Sequence, residues 1–277
     1  MPELFSAVSV PVRHNMSDYN NWLLEIDKPI ATLTLNRPEK MNALTAETLH
    51  ELREIAHYLR DNRDVWVIIL QSTGDHFSVG VDVNQIRQIV GQDETPYREN
   101  LRDLQDCLDT FEALPQPVIA RIRGYCIGGG LLLVCACDFR VADRTAVFQL
   151  PEVQLGIAVI MGTQRLTRIA GIANTKEMVM LAEGFNADKA HAYGLLHRLV
   201  EATDLDSTVG DLAHRFSKLP PLTVSIAKQI IDQGANLSLR ASQDLEIDLQ
   251  AGLLQSADFK EGVSAFFEKR LPQFKGE

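Results

Sequence analysis

The chain has 277 residues, 45% of them hydrophobic and 23% charged, with a net charge of −10. That length buries a large core, in one domain or one domain with an appendage. The acidic balance argues against a surface built for nucleic acid or an anionic membrane. No apolar run is long enough to span a bilayer, and four cysteines in so long a chain make no disulfide framework.

In chain order, residues 1–20 show weak periodicity and read as an N-terminal arm. The first ten lack a basic region and a continuous apolar stretch, so no signal peptide is expected. Trp22 to Asp27 and Pro29 to Leu35 read as two strands of a hairpin; in the second, Ile30, Thr32 and Thr34 alternate with Ala31, Leu33 and Leu35. Asn36-Arg-Pro-Glu-Lys-Met-Asn42 is a polar loop broken by Pro38. Thr45 is placed to cap a helix, with Thr48 where a capping-box Glu would sit. Leu49, Leu52, Ile55, Ala56 and Leu59 follow at helical spacing. Val65 to Leu70 is continuously apolar, which suits a strand buried on both faces.

A loop of glycine and small residues spans 72–82, and the polar stretch 82–95 reads as a mobile lid. A helix is expected over 96–114, with Leu101, Leu104, Leu108 and Phe111 on one face. Pro117 to Arg123 is a strand feeding the turn Gly124-Tyr-Cys-Ile-Gly-Gly-Gly130, which opens an apolar helix. The glycines let backbone approach backbone or ligand closely, and the helix start offers unpaired N–H groups suited to an oxyanion. The same features equally suit a tight turn packed on a neighbour. Short strands are expected at 138–142 and 146–149. The alternation indicates an α/β sheet with crossover helices. From Gly162 onward the pattern is helical, near 162–170, 174–183, 187–193, 205–218, 222–234, 238–255 and 258–269, broken only by a short strand at 195–200. Cys126, Cys135 and Cys137 read as reduced core residues. The histidines form no ligand pair at helical spacing. The default is a cytoplasmic protein without metal.

Several segments then line up in order: Asn36 to Leu44, Phe77-Ser-Val-Gly-Val-Asp82, the glycine triplet with Cys137 and Asp138, Phe148 to Gly156, Gly162-Thr-Gln-Arg-Leu166, and Glu261 to Arg270. Together they resemble the crotonase superfamily of enoyl-CoA hydratases and isomerases, from about residue 20 to the end. The resemblance implies an α/β spiral of ββα units over 21–200 and a helical oligomerisation region over 201–277 that builds trimers or hexamers. It implies an acyl-CoA thioester as substrate, coenzyme A being part of that substrate and no further cofactor being needed. The thioester oxygen would sit between the N–H groups of Val81 and Gly129. Lys40, Met41, Ala43, Val79, Asp82, Gly128 and Leu132 would line the substrate site. Phe266 and Lys269, from the same or a neighbouring subunit, would close over the coenzyme.

The resemblance also frames the reaction. Family hydratases usually carry two glutamates, one two residues beyond the triplet and one in the later Pro-Glu segment. Here the second is Glu152 and the first is replaced by Leu132. Leucine neither holds a water nor carries a proton. One carboxylate still suffices to move a proton along a substrate, which resembles the Δ3,Δ2-enoyl-CoA isomerases, with Glu152 as base in an apolar surround of Ile127, Leu132 and Ile157. A hydratase, decarboxylase or hydrolase with Asp75, His76 or Tyr125 as replacement stays open, as does a catalytically weak acyl-CoA-binding homologue. A NAD-dependent oxidoreductase lacks its dinucleotide fingerprint.

Overall fold

The computed structural model describes residues 19–277; the expected arm at 1–20 lies almost wholly outside them. Strands β1 (Trp22–Asp27) and β2 (Ile30–Leu35) form the expected antiparallel hairpin, with Trp22 opposite Leu35. β2 then pairs in parallel with β3 (Val67–Ser72). The sheet continues in parallel through β4 (Val118–Ile122), β6 (Phe139–Asp143) and β9 (Arg198–Val200). β3 starts later than the apolar run Val65 to Leu70 would indicate. Its register is fixed by β2, which places Val67 opposite Ile30 and carries Gln71 and Ser72 opposite Thr34 and Leu35.

Both faces of this sheet are buried, as the unbroken apolar strand requires. Ile68, Leu70, Val118 and Ala120 join the main core on one side. Val67, Ile119 and Val141 meet Leu205, Val209 and Leu212 of α7 (Leu205–Phe216) on the other. Helix α1 (Ala46–Asp61) begins with a full capping box, in which Thr48 returns a hydrogen bond to the Thr45 N–H in place of the usual Glu. It packs on α3 (Glu94–Glu112). Between them Asp103 meets His50 Nε2 at 2.6 Å and Arg53 Nη1 at 2.7 Å. Arg53 first, then His50, holds the Asp103 carboxyl below its usual range. With Cys107, these two residues form a His–Asp–Cys group across the helices, a proximity that no spacing within one helix could reveal. The expected lid over 82–95 is instead mostly helical: α2 (Val83–Ile89) precedes the first turn of α3.

A second, three-stranded sheet departs from the sequence reading. It contains β5 (Tyr125–Ile127), β7 (Val147–Gln149) and β8 (Phe185–Asn186) in the order β5-β7-β8. β5 lies inside what reads as a glycine turn, and β8 interrupts a region that reads as helical apart from 195–200. Strands of three and two residues are too short for any periodicity to show. α4 (Gly129–Cys135) is fully buried along its length. α5 (Thr163–Lys176) breaks at Gly171, where φ is +77°, matching two expected helical segments. All four cysteines are free and buried, and burial pushes the Cys107 and Cys135 thiols up to about 11.

The chain ends in α8 (Pro221–Gly234), α9 (Leu239–Gly252) and α10 (Ala257–Glu268). Neither α8 nor α9 contains a buried residue. Ile231, Leu239 and Ile247 remain exposed. An ion pair ties α8 to the sheet: Lys228 Nζ lies 2.8 Å from Asp138 Oδ2, which also accepts the Val118 N–H at 2.7 Å. Replacing Lys228 with Ala leaves a partly buried carboxylate short of its partner. The expected cost is about 2 kcal/mol, read as a lower urea midpoint with an unchanged m-value.

Candidate active site

Loops from distant parts of the chain are brought together at the C-terminal ends of β2, β3 and β5. The first is organised by Asn42. Its buried amide donates to the carbonyls of Thr73 and His76 at 2.8 and 2.9 Å, and its oxygen accepts the Arg37 N–H at 2.9 Å. These bonds offset the left-handed backbone of Met41 and Asn42 (φ +48° and +56°). Residues 41–44 then run beside 79–82. The Val79 N–H donates to the Met41 carbonyl, the Leu44 N–H to the Gly80 carbonyl and the Asp82 N–H to the Leu44 carbonyl, at 3.2, 2.7 and 2.8 Å. In such a parallel pairing alternate peptide groups face opposite ways, so the Val81 N–H points away from Leu44.

It points toward the glycine triplet. Gly80 has φ +88°, and a Cβ there would lie 2.8 Å from the Ile127 carbonyl oxygen and 3.1 Å from the Gly129 nitrogen. A Cβ on Gly130 would come within 2.7 Å of Ser78 Cβ. Ser78 is fully buried; its hydroxyl donates to the Asn42 carbonyl at 2.7 Å and accepts the Gly80 N–H at 3.1 Å. A Cβ on Gly129 would sit 3.6 Å from the Val81 nitrogen. Gly129 opens α4, where first-turn N–H groups lack helical acceptors. Neither the Val81 nor the Gly129 N–H donates to another group among the described residues.

The small sheet delivers the carboxylate. β5 and β7 pair as Tyr125 with Val147, Cys126 with Phe148 and Ile127 with Gln149. The Gly128 N–H continues the ladder to the Gln149 carbonyl at 2.8 Å. Three residues on, Glu152 turns back on the triplet: its Oε1 lies 3.0 Å from where a Gly128 Cβ would be. Its Oε2 is buried without a hydrogen-bond partner. Burial therefore holds the Glu152 carboxyl above its usual range.

Leu132 is 3% exposed and packs against Gly162, where an added Cβ would fall 2.3 Å from Leu132 Cδ2. The space around it is filled with hydrocarbon. Among Asp75, His76 and Tyr125, the His76 carbonyl accepts from Asn42 and from the Ser72 hydroxyl at 3.0 Å. His76 stacks on Tyr125 at 4.4 Å and accepts its N–H, while the largely exposed Asp75 lies 3.7 Å from Arg123.

Lys40, Met41, Ala43, Val79 and Asp82 all come together on the paired loops. The Asp82 side chain caps α2 through the Asn84 N–H at 3.0 Å and lies 3.7 Å from Arg37. Phe266 and Lys269 do not reach this group within one chain. Phe266 is 78% exposed and shares a shallow apolar hollow with Pro220, Phe259 and Phe274. The tail returns onto α10, with the Lys275 and Gly276 N–H groups donating to Asp258 at 2.7 and 2.9 Å, and so turns that helix to its own end. Lys269 only terminates α10, in a left-handed conformation. The clamps Asn42, Ser78 and Arg37 escape a sequence reading focused on groups that touch substrate. The signal for Ser78 is a polar side chain inside an otherwise small and apolar loop; Arg37 and Asn42, in a loop that is polar throughout, give none.

The family profile described as enoyl-CoA hydratase/isomerase matches residues 25–277. The chain belongs to the enoyl-CoA hydratase/isomerase family. A crotonyl-CoA hydratase of Syntrophomonas wolfei is 34% identical over 258 residues, 92% of this chain and 98% of that one. A peroxisomal Δ(3,5)-Δ(2,4)-dienoyl-CoA isomerase of Arabidopsis thaliana is 33% identical, over 90% of this chain and 93% of that one. Among solved structures, a putative enoyl-CoA hydratase from Streptomyces coelicolor superposes with TM-score 0.90 at 29% identity, covering 98% of this chain and all of that one. An enoyl-CoA hydratase from Bacillus anthracis superposes with TM-score 0.86 at 32% identity, over 93% of this chain and all of that one. As an enoyl-CoA hydratase/isomerase, the chain has the α/β fold expected of it, with a helical C-terminal region.

Two outcomes follow from this geometry. Gly128→Ala forces a side chain into φ +51° and against the Glu152 carboxylate. Should Glu152 act in turnover, displacing it by about 1 Å cuts the rate about 100-fold, read in a steady-state assay on enoyl-CoA. Glu152→Gln should raise thermal stability at pH 8. The folded carboxyl titrates above its unfolded value, so ionised Glu152 costs stability fully above the folded pKa. That cost vanishes as pH falls below the ordinary value of 4.5. Melting curves at pH 8 and pH 4 should show the advantage of Gln disappearing at the lower pH.

Proposed function

We propose that the chain is a Δ3,Δ2-enoyl-CoA isomerase that works with Glu152 as its single base. The observation that carries this reading is the lone carboxylate: Glu152 stands at Gly128 with its Oε2 buried and without a hydrogen-bond partner, while Leu132, in the place of the hydratase glutamate, belongs to the apolar core and packs against Gly162. The thioester oxygen of a 3-enoyl-CoA accepts from the Val81 and Gly129 N–H groups. Glu152 removes a proton from C2, and the electron pair moves onto that oxygen as a dienolate. The same carboxyl returns the proton to C4, leaving the double bond between C2 and C3. No atom is gained or lost, and no water is needed. Each preorganised donor is worth about 3 kcal/mol of the barrier. The raised Glu152 pKa suits a group that must both take and give a proton near neutrality.

Lys40, Met41, Ala43, Val79, Asp82 and Gly128 would hold the coenzyme A end of the substrate, and no separate cofactor enters. The exposed apolar faces of α8 and α9 support a homotrimer or hexamer, in which Phe266 and Lys269 of one subunit close the site of the next. The cytoplasm is the compartment this reading favours. Hydration of a 2-enoyl-CoA is the second reading. It is supported by the hydratase names of relatives such as the Syntrophomonas wolfei and Clostridium acetobutylicum proteins, and it needs a second acid–base group that Leu132 does not provide.

Incubation with a trans-3-enoyl-CoA and, separately, a trans-2-enoyl-CoA decides between them. The expected result is conversion of the first without hydration of the second. Glu152→Gln should lower kcat about 1,000-fold with binding of a saturated acyl-CoA retained. Comparable hydration of the 2-enoyl-CoA would establish a hydratase. Binding without turnover of either would leave an acyl-CoA-binding protein.

A further inference from the structure

From the Val81 and Gly129 backbone a small apolar cavity of about 30 Å³ runs inward between α1 and α3. Its walls include Leu44, Leu49, Leu104, Leu108 and Met161. About 15 Å³ of such space admits one water-sized group, so the cavity takes two or three heavy atoms. Met161 is the unusual wall. Its φ is +65°, a left-handed backbone in which a long side chain is disfavoured and glycine is at ease. The strain is held in place from behind. The buried Arg165 donates through Nη1 to the Met161 carbonyl. Through Nε and Nη2 it donates to Glu112 of α3 at 2.9 and 2.7 Å. The helix that carries Leu104 and Leu108 and the residue opposite it are thus locked to one guanidinium. A backbone held off its preferred conformation at the edge of a site points to a functional side chain there.

We propose that Met161 sets the acyl-chain length of this enzyme, closing the cavity so that only short chains, of about four to six carbons, are accommodated. The inference rests on the thioester lying at Val81 and Gly129, because these residues also line the cavity and that placement directs the acyl carbons beyond C4, past Glu152, into it. Arg165 is a positioning residue: it fixes the depth of the cavity by holding Met161 and α3 at one separation. Met161→Gly removes the wall and at the same time suits the left-handed backbone. It opens the cavity without adding strain.

The test is calorimetric binding of butanoyl-CoA and decanoyl-CoA to the wild-type protein and to Met161→Gly. Saturated thioesters cannot react, so the readout does not depend on which reaction the enzyme runs. The wild-type protein should bind the long chain about tenfold more weakly or worse, and the variant should bring the two within about threefold. Met161→Ala opens the cavity while keeping the left-handed strain. It should show the same levelling with a lower melting temperature than Met161→Gly, and it serves as the test if the glycine variant folds poorly. Equal binding of both chains by the wild-type protein, or discrimination unchanged in both variants, would overturn the proposal. Discrimination by chain length in a protein that hydrates rather than isomerises would sink the isomerase reading and leave this one standing. Failure to bind either thioester would sink both.

Discussion

The site depends on one close approach of backbone to backbone. Gly80 lies so near Ile127, Gly128 and Gly129 that no side chain fits between them. Loop 77–82 hangs from β3, and the glycine triplet continues from β5. Neither sheet alone orients a peptide N–H toward the same point in space. Only their contact does so, and it does so with groups whose position is fixed by covalent geometry rather than by rotamers. That is why donors at Val81 and Gly129 need no particular side chain. It also explains why the selective burden falls on residues that touch no substrate: Asn42 and Ser78, buried and fully bonded, hold the two loops in register.

Glu152 shows the opposite economy. Among the described residues the buried carboxylates are matched: Glu51 accepts the Asn20 and Asn21 N–H groups, Asp143 the Thr145 N–H and hydroxyl, and Asp258 two N–H groups of the tail. Glu152 leaves an oxygen unmatched in a dry place. Folding would be easier with a neutral side chain there, as burial holds its carboxyl above the ordinary range. Leu132 is the counterpart. It is an apolar side chain packed into the main core.

The ordered motifs made the family and the α/β class legible in the sequence, because each motif carries backbone requirements that few residues meet. Glycine at 80, 128 and 130 is such a requirement, as is the capping threonine at 45. The small sheet was not legible. β5 and β8 are too brief to show alternation, and the pairing of Ile127 with Gln149 spans residues that nothing local connects. Yet that pairing is what carries Glu152 to Gly128. The group of His50, Arg53 and Asp103 was hidden for the same reason, since it forms between two helices whose facing surfaces are decided by the core beneath them. The placement of Phe266 could not be read either, because a helix with apolar residues on an outer face gives no indication of which surface will cover it.

The four buried thiols turn the molecule into its own clock. A cysteine reacts as thiolate, and burial suppresses that form at Cys107 and Cys135 until the surrounding element opens. The four thiols mark three joints: Cys107 between the two helices that wall the acyl cavity, Cys126 within the small sheet, Cys135 and Cys137 at the far end of α4. Alkylation of the folded protein would therefore time the breathing of each joint separately. The α1–α3 pair and the small sheet thus carry distinguishable chemical timers.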